Sequence, residues 1–199
     1  MISQNFLNNV RDFAYGEEIK YRTPSKFQID FAYQKGLALA EMLHANKEIV
    51  SAGTFLMDAM LGAAMTEGKP KEHAAMAEEK AKELFSEFPE ITEEEKENIL
   101  SCIRQHHGVE RFSSLESEIC CNADCYKFVS MEGVVGGMQH QRKMEKEAMI
   151  DLYLAKAEEK WNALSLPYCK RELEPQYQAV KALLQKMKEN ENQNKCNGG

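Results

Sequence analysis

The chain has 199 residues, of which 43% are hydrophobic and 29% charged, and its formal net charge is −7. This composition excludes collagen-like, low-complexity and fully disordered chains. The acidic balance and the absence of a dense basic block argue against a DNA- or RNA-binding surface, which needs clustered lysine and arginine to neutralise phosphates.

Helical periodicity runs through almost the whole sequence, and no run of alternating β-branched residues predicts a strand. Thr23 and Pro24 are typical of a helix start, with Thr23 as N-cap and Pro24 in the first turn. Thr92 and Glu95 predict a capping box at another start. We predict helices over about 24–46, 47–67, 70–88, 93–107, 114–131, 139–164 and 174–189, with a break at the glycines of 133–137.

This order predicts an all-α protein with one compact helical core over residues 24–131. A helical extension over 1–23 and a C-terminal helical pair within 132–189 pack on that core, and the polar residues 190–199 are expected to be disordered. No basic and apolar export signal is visible, so the six cysteines are expected to be reduced thiols in the cytoplasm. The weakly charged stretch 49–66 falls short of the ~20 apolar residues of a membrane span and predicts a buried helix.

Asp58 is the one charged residue between Glu48 and Glu67, in the stretch IVSAGTFLMDAMLGAAMT. Apolar side chains surround this helix on all sides, so we expect it to lie centrally. A carboxylate in such a position is costly unless it is paired, protonated or bound to a metal. Taken alone, Asp58 is better explained as a protonated or hydrogen-bonded structural residue.

Three histidines and a second aspartate are predicted to face the same interior. His106 and His107 continue the apolar stripe of the fourth predicted helix, His73 shares the apolar face of the third, and Asp124 lies in the fifth. Each has an ordinary explanation by itself, as a helix-dipole contact, a core histidine or an ion-pair partner. Together with Asp58 they bring nitrogen and oxygen ligands from four helices, a set that suits Mn, Fe, Ni, Zn or Mg.

In this order the residues resemble the HD-domain superfamily of metal-dependent phosphohydrolases. That family has an all-helical core with a His, a His-Asp pair, often one or two further His, and a final Asp. The pair falls in FLMDAMLG, where the family usually reads apolar-Leu-His-Asp-Ile-Gly. The resemblance implies an intermediate ligand at His73, a helix-ending ligand at His106 or His107, and the final ligand at Asp124. The order and the helical context carry it, rather than any single motif.

Two positions depart from the family pattern. Met57 stands at the place of the paired histidine, and a thioether is a poor ligand for hard divalent ions. No histidine lies near residues 27–31, where the first ligand is expected, and Asp30 is the nearest residue able to replace it. The remaining acids and imidazoles resemble the second metal site of binuclear members, in which the aspartate of the pair, here Asp58, normally bridges.

The resemblance implies a metal-dependent phosphohydrolase in which Asp58, His73 and one of the two adjacent histidines hold a divalent ion. The ion lowers the pKa of a water molecule for attack on phosphorus, Asp58 is the catalytic residue, and Asp124 acts as ligand or water-orienting group. The implied partner is a phosphorylated small molecule or a nucleotide, with no DNA and no membrane. A homodimer is possible, and the sequence does not decide the oligomeric state. Three basic residues could contact substrate phosphate: Lys71, Arg104 and Arg111. Solvated surface charge is the more ordinary explanation of each.

One alternative comes from a different functional class. The two missing histidines could leave a catalytically degenerate fold that binds a nucleotide or a protein partner, because fold does not determine activity. A ferritin-like di-metal bundle is disfavoured, since the Glu41-x-x-His44 segment has no second copy. A structural zinc site is also disfavoured, since Cys121 and Cys125 lack a second short-spaced pair.

Overall fold

The computed structural model describes residues 2–140 and 144–197, with side chains as far as position 193. These residues form an all-α fold, as predicted, with no strand in the described ranges. The helices are α1 Gln4–Tyr21, α2 Lys26–Leu43, α3 Lys47–Leu56, α4 Leu61–Thr66, α5 His73–Phe85, α6 Glu93–Gln105, α7 Leu115–Val129, α8 Met131–His140, α9 Lys146–Ala163 and α10 Pro167–Asn197, with a 3-10 turn at Pro70–Glu72.

Helices α3 and α7 form the centre of the molecule. Every residue of α3 from Ile49 to Leu56 is buried, and α7 packs against α2, α3, α6, α8 and α9. Helix α1 covers α3, while α9 and α10 pack against α7 and against each other. The polar residues that α3 and α7 carry are therefore held in the interior by packing on several sides.

The predicted helix over 47–67 is two helices, separated by a turn at 57–60. In this turn the amides of Ala59 and Leu61 donate to the carbonyls of Leu56 and Asp58, three residues back rather than four. The stretch Lys47–Thr66 is long and apolar enough to cross a membrane by length and composition, but 78% of its apolar window is buried inside the protein. It is a core element, and its central turn carries Asp58 into the interior.

Local capping explains where two helices begin. At α6 the predicted capping box is present: Thr92 Oγ1 accepts from the Glu95 amide at 3.2 Å, and the Glu95 carboxylate accepts from the Thr92 amide at 3.0 Å. The predicted start of α2 at Thr23 was wrong. Ser25 is its N-cap, because Ser25 and Gln28 form a capping box of their own.

The C-terminal third differs from the prediction in two places. The glycine-containing segment that was predicted as a break is helix α8. Helix α10 begins at Pro167, where the first helical position tolerates proline, and continues to Asn197, so the described part of the expected disordered tail is helical. The first turn of the predicted helix over 139–164 includes residues 141–143, which lie outside the described residues.

Gly133 permits close packing of α8 on the end of α7. A Cβ atom at this position would lie 2.3 Å from the backbone oxygen of Tyr126 and 2.9 Å from the backbone of Lys127. Because backbone cannot give way as a flexible side chain can, we expect Gly133→Ala to lower the free energy of unfolding by about 1–3 kcal/mol. Urea denaturation followed by circular dichroism measures the change.

Gly16→Ala is the matched control. A Cβ at Gly16, inside α1, meets nothing within 4 Å. The exchange is therefore expected to stabilise the chain by roughly 0.5–1 kcal/mol through helix propensity. Equal stabilities of the Gly133→Ala and Gly16→Ala variants would contradict the packing described for α8.

Candidate metal centre

Four predicted ligand residues come together where three elements meet. Asp58 lies in the turn after α3, His73 is the first residue of α5, and His106 and His107 follow the last residue of α6. The Nε2 atom of His73 is 3.3 Å from Nε2 of His106 and 3.1 Å from Nε2 of His107. The Oδ1 atom of Asp58 is 3.3 Å from Nε2 of His73 and 3.4 Å from Nε2 of His106.

Backbone carbonyl groups orient two of the three imidazoles. The Nδ1 atom of His73 lies 2.7 Å from the carbonyl oxygen of Pro70, and Nδ1 of His106 lies 2.7 Å from that of Ile103. A carbonyl oxygen can only accept, so each Nδ1 carries the hydrogen and donates it. In the neutral imidazole the lone pair is then on Nε2, which faces the centre of the cluster.

This convergence of lone pairs favours a cation. Two Nε2 lone pairs and a carboxylate oxygen face one another at 3.3–3.4 Å, and without a proton or a metal ion between them they repel. Tetrahedral ligands about 2.0–2.1 Å from a metal ion are spaced about 3.3 Å apart. The chemistry and the spacing of His73, His106 and Asp58 therefore fit one divalent ion.

The charge states agree with that arrangement. Burial would raise the pKa of Asp58, but the positive charge of Lys127 and the contacts with the histidines outweigh it and hold the pKa well below its usual range. Burial would lower the pKa of His73, but the hydrogen bond and charge of Asp58 outweigh it and raise the pKa. The carboxylate at the centre is thus ionised and attracts positive charge.

His107 has a different environment from His106. Its Nδ1 atom lies 2.8 Å from Nζ of Lys160, and an ammonium can only donate, so Nδ1 accepts and Nε2 carries the hydrogen. Burial, helped by the charge of Lys160, lowers the pKa of His107 to about 3, and the ring is neutral. This contact favours His106 over His107 as the ligand and makes His107 a hydrogen-bonding neighbour of the site.

Asp124 faces two lysines instead of the imidazoles. Its Oδ1 atom lies 2.6 Å from Nζ of Lys127, and its Oδ2 atom lies 2.5 Å from Nζ of Lys160. The Lys127 ammonium also donates to Oδ2 of Asp58 at 2.5 Å. Asp58 therefore connects the imidazoles on one side with the pair of lysines and Asp124 on the other.

The two lysines were missed by sequence reasoning. Both are buried, with 4% exposure for Lys127 and 1% for Lys160. Burial would lower the pKa of each, but the negative charges of Asp124 and Asp58 outweigh it and raise both pKa values. Lys127 lies three residues after Asp124 on the same helix, and this spacing could have predicted their ion pair. No sequence pattern near Lys160, in α9, indicates that it reaches the site.

The remaining predicted residues lie outside the cluster. Asp30, considered as a replacement for the first histidine, accepts from the Tyr15 hydroxyl and the Lys26 ammonium, each at 2.5 Å. Met57 is buried in the hydrophobic core. Arg104 pairs with acidic side chains on the surface, at 3.4 Å from Glu78. The exposed Arg111 is not part of the site, while Lys71 lies at its mouth.

A cavity of about 590 Å³ opens onto the cluster. Its polar lining includes Asp58, His73, His107 and Lys127, while His106 lies completely buried beneath. The remaining lining residues include further charged side chains and apolar side chains: Lys71, Lys156, Lys160, Asp124, Glu159, Leu61, Phe128 and Leu152. A concave site with apolar walls and a few convergent polar groups is typical of small-molecule binding.

No protein-family model and no curated protein matches this chain. Among solved structures it is similar to a Lactobacillus plantarum protein studied as a structural-genomics target, with a TM-score of 0.69 and 14% identity over 96% of this chain and 99% of that one. It is also similar to YpgQ of Bacillus subtilis, with a TM-score of 0.60 and 12% identity over 94% of this chain and 95% of that one. These likenesses establish one all-α fold shared along almost the entire chain.

Proposed function

We propose that this protein is a metal-dependent phosphohydrolase of the HD-domain type. The observation that carries the proposal is the convergence of the Nε2 atoms of His73 and His106 and the Oδ1 atom of Asp58 at 3.3–3.4 Å. Three protein ligands with an open side are typical of catalytic rather than structural metal sites. The candidate ions are Mn, Fe, Ni, Zn and Mg.

The charge of the site supports a phosphate substrate. The carboxylates of Asp58 and Asp124 are balanced by the ammonium groups of Lys127 and Lys160, and His107 is neutral. With a divalent ion bound, the centre would have a net positive charge, which the two negative charges of a phosphate ester dianion would balance. Lys71 adds positive charge at the mouth of the cavity, whereas the charge of the half-buried Lys156 is balanced by Glu159, which also lines the cavity and lies 2.8 Å from it.

Each side chain has a defined task in this proposal. When bound, a divalent ion lowers the pKa of a water molecule and neutralises charge on phosphoryl oxygens. His73 and His106 keep their lone pairs on the site because their Nδ1–H groups are held by backbone carbonyls. His107, on the cavity wall, is held by its contacts with Lys160 and with Nε2 of His73, and Leu61 and Phe128 form part of the apolar wall of the cavity.

Metal addition is expected to stabilise the folded chain. An ion that binds only the folded state at 100 times its Kd adds about 2.7 kcal/mol to the free energy of unfolding, which is roughly 5–10 °C in Tm for a chain of this size. The measurement is thermal unfolding of chelator-treated protein with and without Mn, Fe, Ni, Zn or Mg at matched ionic strength. An unchanged Tm with all five ions would argue against the metal site.

The activity test is hydrolysis of an aryl phosphate, an aryl phosphodiester and a nucleotide panel by the metal-loaded chain. Release of phosphate or of the aryl alcohol that stops with chelator and returns with metal supports the proposal.

The five free cysteines of the described side chains are buried, which agrees with a reducing cytoplasm as the place of action.

A specific observation favours a second candidate function, a catalytically degenerate module that binds a nucleotide or a protein. Met57 lies in the core rather than in the site, and Lys127 already neutralises part of the carboxylate charge. A module of this kind binds a nucleotide by calorimetry but shows no turnover and no Tm change with metal. The two measurements together therefore distinguish the candidates.

A further inference from the structure

The Lys127 ammonium occupies the space between two buried carboxylates. It lies 2.5 Å from Oδ2 of Asp58 and 2.6 Å from Oδ1 of Asp124. The other oxygen of Asp58, Oδ1, faces His73 and His106. Asp58 is thus a bridge, with the proposed metal ligands on one side and the Lys127 ammonium on the other.

This is the arrangement of a two-metal site in which one cation belongs to the protein. In two-metal hydrolases the ions lie about 3.5–4 Å apart and act together on the attacking and leaving oxygens. A carboxylate such as Asp58, whose two oxygens face different cations, is suited to bridge them. Here the second position is filled by an ammonium, whose single charge and N–H donors satisfy both carboxylates.

The surroundings of Lys127 offer few other ligands. A small cavity beside Lys127 and Asp58 is lined by apolar or uncharged residues: Pro24, Gln28, Ile29, Ala32, Thr54, Phe55 and Met57. Among the described residues that line it, Asp58 is the single acid and no imidazole contributes. A metal ion at this position would be held by Asp58, Asp124 and water, which are the oxygen ligands that suit Mn²⁺.

We propose that Lys127 is a built-in second cation that restricts this centre to one divalent ion. The inference rests on the metal site of the proposed function and adds its stoichiometry and the residue that determines it. The ion binds on the imidazole side of Asp58, and Lys127 excludes a second ion from the space between Asp58 and Asp124.

The test counts Mn²⁺ in the full-length chain and in variants. Mn²⁺ is the probe because carboxylate and water ligands suit it. Elemental analysis after dialysis gives the ions per chain, and electron paramagnetic resonance distinguishes an isolated ion from a spin-coupled pair. We expect one isolated ion in the wild type and two coupled ions in Lys127→Ala, a doubling of the stoichiometry.

Two further variants locate the second ion. Adding Asp124→Asn to Lys127→Ala removes one of the two carboxylates that would hold the second ion. The double variant is therefore expected to bind one Mn²⁺ per chain. Lys156→Ala is the matched control, because it removes a half-buried lysine of the larger cavity that Lys127 also lines, and it is expected to keep a single ion. Two ions in the wild type, or one ion in a folded Lys127→Ala, would overturn the inference while leaving the proposed hydrolase activity intact.

Removal of Lys127 could also prevent folding without metal, because it leaves two buried carboxylates close together. In that case helical circular dichroism is followed during Mn²⁺ addition. Recovery of the fold at two ions per chain supports the inference, and no recovery at any Mn²⁺ concentration overturns it. A wild-type chain that binds no metal would overturn the proposed function, and this inference with it.

Discussion

Asp58→Asn is expected to remove both metal binding and phosphatase activity. The exchange preserves the shape of the side chain but removes the negative charge that faces His73 and His106 and pairs with Lys127. Loss of a residue that merely supports a metal ligand costs about 10–100-fold in metal affinity or activity, so loss of a ligand is expected to cost at least about 100-fold in each. Calorimetric metal titration and kcat/KM on an aryl phosphate measure the two effects.

Asp30→Asn is the control for this exchange. Asp30 pairs with Tyr15 and Lys26, not with the imidazoles. Because the exchange leaves the proposed metal ligands untouched, metal affinity and kcat/KM are expected to stay within about twofold of the wild-type values. The control also tests whether Asp30 replaces the missing first histidine. Turnover by Asp58→Asn at the wild-type rate would remove the proposed mechanism.

Asp124→Asn is expected to produce the largest loss of stability. Asp124 is 1% exposed and forms ion pairs with the buried Lys127 and Lys160. Removing one partner of a buried ion pair costs about 3–5 kcal/mol, because an uncompensated charge stays in the interior. For a chain of this size that corresponds to a fall in Tm of roughly 6–20 °C, measured by thermal unfolding of chelator-treated protein.

Asp151→Asn is the matched surface variant. Asp151 lies on α9 and pairs with Lys188 at 2.7 Å, and both side chains are about half exposed. Exposed ion pairs of this kind contribute about 0–1 kcal/mol, so the expected change in Tm is small. Equal Tm values for Asp124→Asn and Asp151→Asn would contradict the buried network.

The two exchanges separate binding from structure. Because Asp124 faces lysines, Asp124→Asn in an otherwise unchanged chain is expected to keep one metal ion, held by His73, His106 and Asp58. Asp58→Asn is expected to lose the ion although Lys127 keeps its pair with Asp124. If Asp124→Asn instead loses the ion, Asp124 is a ligand, as the family resemblance implies.

Several features could be predicted from the sequence because they depend on local chemistry. The Thr92 capping box, the helical periodicity and the inward positions of Asp58, His73 and His106 follow from residues a few positions apart. These features were sufficient to predict the all-α fold and the acids and imidazoles of the candidate site, but not its two buried lysines.

Only the tertiary structure decided how those residues are paired. Lys160 reaches Asp124 and His107 through the packing of α9 on α7, and this long-range contact favours His106 over His107 as a ligand. Lys127 bridges Asp58 and Asp124 because α3 and α7 pack together. A sequence specifies which groups are available to carry charge, but the partner of a buried charge depends on which helices pack against it.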